Sequence, residues 1–159
     1  YKYEVEGSEN CNTIKELSLK QMLLQSNING IVKNPNIGVD SVNVIVARML
    51  NDYKQDIKRN YIFKAPMQAS SYYALFQTIQ LGNTNSLIFN PRNNKEDVKV
   101  FAAVATSWDT YYPGAERGKN LHNIAIEGMK DIRIIENQMA QQKIDASKVQ
   151  VNGLSLKHN

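Results

Sequence analysis

The segment LHNIAIEGMKDIRIIENQM, residues 121–139, has the clearest periodicity in the chain. Apolar or small residues recur there at steps of four, three, four, three and four, namely Leu121, Ala125, Gly128, Ile132, Ile135 and Met139. This spacing is typical of a helix that packs along its length against other helices. Ile124, Met129 and Ile134 widen the apolar face, so we expect burial in a bundle rather than in an isolated coiled coil. Gly128 should allow a neighbouring helix to approach closely.

Further helices are predicted upstream, in segments separated by four prolines. Thr13 and Glu16 have the spacing of a capping box, which predicts a helix from about Ile14 to Ile28, with Gly30 just past its end. A second helix should follow Asp40 as N-cap and end near Asn60. A third helix is predicted over 72–79, after Ser70 and Ser71, and Gly82 should close it. Residues 86–89 should be extended. A fourth helix, capped by Asn94, should place Val98, Phe101, Ala105 and Trp108 on one face.

The two ends of the chain alternate between polar and apolar residues. Residues 1–7, YKYEVEG, predict a short strand, so residues 1–12 are interpreted as a strand-like N-terminal arm. Residues 148–157, KVQVNGLSLK, predict a C-terminal hairpin, because Asn-Gly between alternating runs favours a two-residue turn. A lone hairpin is marginally stable, so the N-terminal strand should join it.

The expected fold class is therefore mainly α. We predict a single helical domain over residues 1–159: a bundle of four to five helices with a small β element, made of the N-terminal strand and the C-terminal hairpin.

Composition excludes several classes of protein. The 159 residues are 42% apolar and 21% charged, with a net charge of +4 and one cysteine, Cys11. One cysteine cannot form an internal disulfide, and the apolar runs are far shorter than the roughly 20 residues of a transmembrane helix. No signal peptide is visible, yet the chain does not begin with Met. Either a targeting segment has been removed or the sequence is a piece excised from a longer chain. Of the possible locations, an extracytoplasmic one, periplasmic or secreted, is favoured.

The sequence contains no recognisable catalytic constellation. It lacks a phosphate-binding glycine loop and a serine-hydrolase turn, and His122 and His158 lie 36 positions apart without a cluster of metal ligands. We therefore expect no catalytic residues, no metal and no cofactor. One enzymatic alternative stays open, because a glycosidase needs only two carboxylates. The candidates are Glu116 or Glu127 with Asp131 or Asp109.

A basic cluster raises a second alternative, a weak association with nucleic acid. It consists of Lys54, Lys58, Arg59 and Lys64, interrupted by the acidic residues Asp52 and Asp56. Acidic residues at helical spacing can pair with these basic side chains. Nucleic acid is therefore not an expected partner.

The best candidate for a binding surface is the segment SWDTYYPGAERGK, residues 107–119, which we interpret as an aromatic loop between helices. Its candidate binding residues are Trp108, Tyr111, Tyr112, Arg117 and Lys119. Trp, Tyr and Arg dominate interface energetics because they bury much area while offering hydrogen bonds. The alternative is that Trp108 closes the end of the bundle under the tyrosines. Tyr72 and Tyr73 form a weaker second patch.

These observations favour a non-enzymatic protein-interaction or assembly module. It would bind another protein or a glycan through the aromatic loop, for example as an extracytoplasmic component of a secretion, conjugation or surface system. The alternatives are a peptidoglycan- or glycan-cleaving hydrolase and a weak nucleic-acid-associated protein.

Overall fold

The computed structural model describes residues 2–158, with side chains from residue 9 to residue 150, and is mainly helical. The described residues form the helices α1 (Lys2–Val32), α2 (Val39–Ile57), α3 (Ala69–Leu75), α4 (Lys95–Tyr111) and α5 (Glu116–His158). A π-helical segment, Lys58–Ile62, continues α2. The strands β1 (Thr78–Leu81) and β2 (Thr84–Leu87) pair antiparallel. The mainly helical class with a small sheet is confirmed.

The predicted N-terminal strand is wrong, because residues 2–7 form the first turns of α1. The predicted cap Thr13 lies inside this helix, where its hydroxyl donates a hydrogen bond to the carbonyl of Glu9 at 2.9 Å. Gly30 does not end the helix either, since α1 continues to Val32. A strand needs a neighbour to pair its backbone groups, whereas a helix pairs them within itself. The short alternation therefore did not decide the structure of this arm.

The predicted C-terminal hairpin is also wrong. The helix α5 runs through Asn152 and Gly153 and ends at His158. With residues 2–12 helical, the described part of the chain has no third strand to support a hairpin over 148–157, and an isolated hairpin is marginal. Helix replaces the predicted arm over residues 2–12 and the predicted hairpin over 148–157, and Tyr1 lies outside the described residues.

The β element instead lies in the middle of the chain, over 78–87. Leu81 pairs with Thr84, which leaves the two-residue turn Gly82-Asn83, and Gly82 has a φ of 62°. Glycine at the first central position is the pattern of a type II′ turn, whose twist suits a hairpin. The helix predicted over 72–79 therefore ends at Leu75. The extended segment predicted from Ser86 is confirmed for its first two residues, which lie in β2.

Amide side chains of α1 cover the edge of β1 that faces away from β2. Gln25 Nε2 donates to the carbonyl of Gln80 at 2.9 Å, and the backbone N–H of Gln80 donates to Gln25 Oε1 at 2.7 Å. Gln21 Nε2 donates to the carbonyl of Thr78 at 2.8 Å. Two glutamines thus take the place of a neighbouring strand and satisfy an otherwise open edge.

A buried polar chain joins α1, α2 and the start of the hairpin. The hydroxyl of Tyr53 donates to Gln77 Oε1 at 2.6 Å, and Gln77 Nε2 donates to the carbonyl of Leu17 at 3.0 Å. The buried polar atoms of Tyr53 and Gln77 are paired, which is the condition for burying them without a large loss of stability.

The helix that carries Tyr53 begins at Val39 with Gly38 as its N-cap, so the predicted cap Asp40 lies in the first turn instead.

Helix α4 agrees with its prediction. Asn94 is the N-cap, and its Oδ1 accepts hydrogen bonds from the backbone N–H groups of Glu96 and Asp97 at 3.0 and 3.2 Å. The face predicted from Val98 to Trp108 is buried in the core. Asp97 is also buried and accepts hydrogen bonds from Lys54 Nζ at 2.6 Å and from the N–H of Asn90 at 2.8 Å. This ion pair connects α2 to α4.

The periodic segment of α5 is buried only over its first half. Leu121 and Ala125 lie in the core, and a Cβ on Gly128 would come within 2.3 Å of the carbonyl oxygen of Pro91. The close approach predicted at Gly128 therefore comes from the loop before α4, with Val98 beside it. Met129 and the apolar residues from Ile134 to Val149 are exposed, so the prediction of burial is wrong for them.

Candidate binding cleft

The residues predicted as an aromatic loop lie mostly on two helices. Trp108 and Tyr111 belong to the last turn of α4, and Arg117 and Lys119 belong to the first turn of α5. The connection between the helices is only residues 112–115, and it contains Tyr112 and Gly114, whose φ of 79° favours glycine. The predicted loop is therefore a tight helical corner.

Trp108 is part of the core. Its side chain is only 7% exposed, and its Nε1 donates a hydrogen bond to the carbonyl of Pro66 at 3.1 Å. Its ring centroid lies 5.9 Å from that of Tyr72 and 5.0 Å from that of Tyr112. This burial agrees with the alternative interpretation, in which Trp108 closes the end of the core under the tyrosines.

Arg117 lies over two of these rings. The central carbon of its guanidinium group is 5.2 Å from the centroid of Tyr72 and 5.8 Å from that of Trp108. Cation–π contacts of this kind hold the planar guanidinium in one orientation while its N–H groups remain at the surface. Tyr72 is fixed in turn, because Asn120 Nδ2 donates to its hydroxyl at 3.0 Å.

Arg117 and Tyr72 line an open cleft of about 500 Å³, which we call the Tyr72 cleft. Its other lining residues come from α1 and from the segment 69–78, and are Ile14, Gln21, Ala69, Tyr73, Phe76, Gln77 and Thr78. Three of the nine lining residues are aromatic, and the side-chain amides of Gln21 and Gln77 already donate internal hydrogen bonds. The cleft therefore offers apolar surface with one cation at its rim.

Of the five binding residues predicted in the aromatic loop, only Arg117 lines this cleft, whereas Tyr72 and Tyr73, predicted as a weaker second patch, both line it. Tyr111, Tyr112 and Lys119 are exposed on the neighbouring corner, and Trp108 lies beneath it. Phe76 was not predicted as a site residue, although it lines the cleft. Phe76 follows Tyr72 by four positions, one helical turn, and their centroids lie 4.8 Å apart. That spacing next to the Tyr72–Tyr73 patch was the available signal.

The candidate carboxylates are divided between two places. Asp109 hydrogen-bonds the ring of His122 on the α4–α5 corner. Glu127 and Asp131 line a smaller cleft of about 340 Å³ together with Pro91 and Arg92, and Glu116 is not part of its lining. The side chain of Glu127 is exposed and lies 3.5 Å from Lys130 Nζ.

The basic cluster does not form one continuous face. Lys54 pairs with the buried Asp97, so its charge is not available at the surface with the other basic residues of the cluster. Asp56 pairs with Lys20 at 2.8 Å, and this hydrogen bond lowers the pKa of the Asp56 carboxyl. The three other basic residues, Lys58, Arg59 and Lys64, flank the exposed ring of Phe63. Nucleic-acid association stays a prediction that rests on these three side chains.

Other kinds of site are not found in the described part of the chain. Within it, no group of three or more His, Cys, Asp or Glu residues is placed to hold a metal ion. Cys11 is exposed as a free thiol on α1. None of the helices described is long and apolar enough to cross a membrane. The sequence matches no family model, and it matches none of the curated proteins or solved structures with which it was compared.

Proposed function

We propose that the protein is a non-enzymatic interaction module that binds a segment of another protein in the Tyr72 cleft. The observation that carries the proposal is Arg117, held over the rings of Tyr72 and Trp108 at the rim of an aromatic cleft. Buried aromatic and arginine side chains supply most of the binding energy at protein interfaces. Because Arg117 is held in place before binding, little rotamer entropy is lost when it binds a partner.

The chemistry of the cleft specifies the kind of segment it would take. A cavity of about 500 Å³ accommodates one or two large side chains, and its aromatic walls favour an apolar or aromatic anchor. Arg117 favours a carboxylate beside that anchor, since its guanidinium can donate two parallel hydrogen bonds to one. Among the described residues no carboxylate pairs with Arg117, so the group is available for an acidic partner.

The biological setting is part of the same proposal. A helical bundle that presents such a cleft suits an assembly role, for example in an extracytoplasmic component of a secretion, conjugation or surface system. A glycan is the alternative ligand for the same aromatic wall. It would stack on Tyr73 or Phe76 without needing the charge of Arg117.

The test is a selection of short peptides from a random displayed library on the intact protein. Enriched peptides are expected to carry an aromatic or apolar residue next to an acidic one. Arg117→Ala should weaken their binding, measured by calorimetry, by roughly tenfold or more, because it removes a charge-assisted hydrogen bond. Lys119→Ala is the matched control, since Lys119 is an exposed cation on the same turn but outside the cleft.

Two results would contradict the proposal. The first is peptides that bind Arg117→Ala as well as they bind the unaltered protein. The second is binding of soluble oligosaccharides that is lost in Phe76→Ser but kept in Arg117→Ala, which would favour the glycan. Thermal unfolding of each variant distinguishes loss of binding from loss of fold.

One observation favours a second candidate, a glycan-cleaving hydrolase. Glu127 and Asp131 line one cleft, as an acid and a base or nucleophile would. Clearing of cell-wall suspensions by the protein, abolished by Glu127→Gln and by Asp131→Asn, would support it. Unchanged turbidity at high protein concentration would reject it.

A further inference from the structure

A second large cleft lies between α1 and the segment that follows α2, and its lining is almost entirely polar. Its volume is about 630 Å³, and it shares no lining residue with the Tyr72 cleft. Five of its eleven lining residues come from positions 9–20 of α1, and six come from the segment 60–70. Ala65 is the one apolar residue among them. We call this the polar cleft.

Internal contacts hold the two walls of the polar cleft together. The hydroxyl of Tyr61 donates a hydrogen bond to the carboxylate of Glu16. Lys20 Nζ pairs with Asp56 at 2.8 Å and lies 5.5 Å from the centroid of the Tyr61 ring. These contacts connect α1 to the end of α2 and to the π-helical segment. The shape of the cleft is therefore fixed by the fold before any ligand binds.

Ser70 is a buried residue of this cleft whose hydroxyl has no protein partner. The residue is only 5% exposed, and among the described residues its hydroxyl makes no hydrogen bond. Every fully enclosed polar side-chain atom described has a partner, so the Ser70 hydroxyl is not fully enclosed, and it reaches solvent through the cleft that Ser70 lines. A buried hydroxyl without a protein partner needs a water molecule or a ligand to satisfy it.

The next residue, Ser71, has the opposite surroundings. It is fully buried, and its hydroxyl donates to the carbonyl of Ala65 at 2.6 Å. The fold therefore satisfies the hydroxyl of Ser71 internally and leaves that of Ser70 open to the cleft.

Three further side chains of the cleft have unused hydrogen-bonding capacity. Asn10, Lys64 and Gln68 line it, and among the described residues their side chains make no hydrogen bond or ion pair. A primary amide offers a donor beside an acceptor, and a hydroxyl both donates and accepts. The amides of Asn10 and Gln68 can each therefore bind two neighbouring hydroxyl groups of one ligand.

We propose that the polar cleft is a binding site for a neutral saccharide, which these four side chains hold through its hydroxyl groups. A saccharide carries many closely spaced groups that both donate and accept hydrogen bonds, as the lining requires. The volume of about 630 Å³ is in the range of small-molecule sites and suits a disaccharide unit. An apolar ligand would meet almost no apolar surface in this cleft.

The charges of the lining favour a neutral ligand. Glu9 and Glu16 balance Lys20 and Lys64, so the formal charge of the lining is zero. A phosphate would lie near two carboxylates, and a polyamine would lie near two ammonium groups. A ligand without charge avoids both repulsions.

Calorimetry with the intact protein and millimolar maltose, cellobiose, lactose or chitobiose tests the proposal. At least one of these disaccharides should bind. Ser70→Ala and Asn10→Ala should each weaken that binding by roughly fivefold or more, because each removes a hydrogen bond to the sugar. Asn12→Ala is the matched control, since Asn12 is an exposed amide of the same helix outside the cleft.

Thermal unfolding separates a binding role of Ser70 from a structural one. Ser70→Ala should leave the melting temperature unchanged or raise it, because the hydroxyl that it removes has no protein partner. Ser71→Ala should lower it, since the carbonyl of Ala65 loses its donor. If Ser70→Ala lowers the melting temperature as much as Ser71→Ala does, the hydroxyl of Ser70 is used inside the fold and the proposal is wrong.

Variants of the two clefts distinguish this site from the one under Proposed function. Binding of a disaccharide in the polar cleft should persist in Phe76→Ser, because Phe76 lines the other cleft. Binding that is lost in Phe76→Ser and kept in Ser70→Ala would belong to the Tyr72 cleft and would overturn this proposal. Peptide binding that depends on Arg117 is unaffected by either result.

Two other outcomes overturn the proposal. The first is the absence of binding by all four disaccharides. The second is binding of inorganic phosphate or of spermidine that Ser70→Ala weakens, since the site would then take a charged ligand.

Discussion

Two helical glycines of this chain have opposite surroundings. A Cβ on Gly128 would meet the carbonyl oxygen of Pro91 at 2.3 Å, whereas a Cβ on Gly30 would meet no atom within 4 Å. Gly128→Ala should therefore lower the free energy of unfolding by about 1–3 kcal/mol through overpacking. Gly30→Ala should raise it by about 0.5–1 kcal/mol, because alanine loses less backbone entropy in a helix. Urea unfolding of both variants measures the difference, and equal effects would contradict the packing at Gly128.

Tyr53 makes stability depend on alkaline pH. Burial raises the pKa of its hydroxyl well above the ordinary value. Above about pH 10 the unfolded chain loses the tyrosine proton while the folded chain keeps it. The free energy of unfolding should therefore fall by about 1.4 kcal/mol per pH unit for this group. Below about pH 10 Tyr53 is protonated in both states, so its full contribution to the free energy of unfolding is present.

Tyr53→Phe tests this dependence. The variant should unfold more easily at neutral pH, by about 1–2 kcal/mol, because Gln77 Oε1 loses its donor. Above about pH 10, the free energy of unfolding of the variant should fall less steeply with pH than that of the unaltered protein. Part of the decline remains, since burial and Glu16 also raise the pKa of Tyr61. Tyr111→Phe, at an exposed position, is the control. Parallel pH profiles for Tyr53→Phe and the unaltered protein would contradict the prediction.

At the scale of elements, the hairpin depends on helix α1. Gln25→Leu keeps the size of the side chain but removes both hydrogen bonds to the backbone of Gln80. We expect faster hydrogen exchange at the Gln80 amide and a loss of about 1–2 kcal/mol in the free energy of unfolding. Gln25→Glu keeps the acceptor for that amide, so its exchange should stay slow. Ser26→Ala is the control at an exposed neighbouring position, and unchanged exchange in Gln25→Leu would show that the edge does not need α1.

Some elements with local signals were predictable, and others were not. The start of α4 follows from Asn94 and the two acids behind it, because a cap acts within one turn of its own helix. The hairpin was missed although Gly82-Asn83 carries a turn signal, since Gly82 was interpreted as a helix stop. Asn152-Gly153 carries a similar signal and is helical. What separates the two cases is the pair of glutamines from α1, more than 50 positions away from β1.

The candidate site also combines a residue that its local sequence predicted with contacts to distant segments that it did not predict. Arg117 was predicted from its neighbours in sequence, and it does line the cleft. Its stacking partner Tyr72 comes from α3, and Trp108 is anchored by the carbonyl of Pro66, 42 positions away. Periodicity within one segment carries no information about which distant segment packs on it. The aromatic patches at 72–73 and 108–112 were therefore recognised separately, and their union was not.

At the scale of the whole molecule, the protection of α5 should differ along its length. Residues 133–150 lie beyond the core, so their helix is held mainly by its own hydrogen bonds and should exchange quickly. Hydrogen exchange followed by mass spectrometry measures this difference. Amides of the buried face of α4 are the control, and equally slow exchange of 133–150 would contradict the prediction.

The π-helical turn at Lys58–Ile62 limits which length changes the chain tolerates. This turn holds more residues than an α-helical turn, and it closes with the N–H of Phe63 donating to the carbonyl of Lys58 at 2.9 Å. Deleting one residue here would close the turn as α and would leave the residues after it facing nearly the same way, because the π turn accommodates one extra residue. Deleting one residue inside α2 would instead rotate the helix after it by about 100° and would take buried residues such as Ile57 out of the core. Homologous chains that are one residue shorter in this region should therefore lack the residue within 58–62 and not within α2.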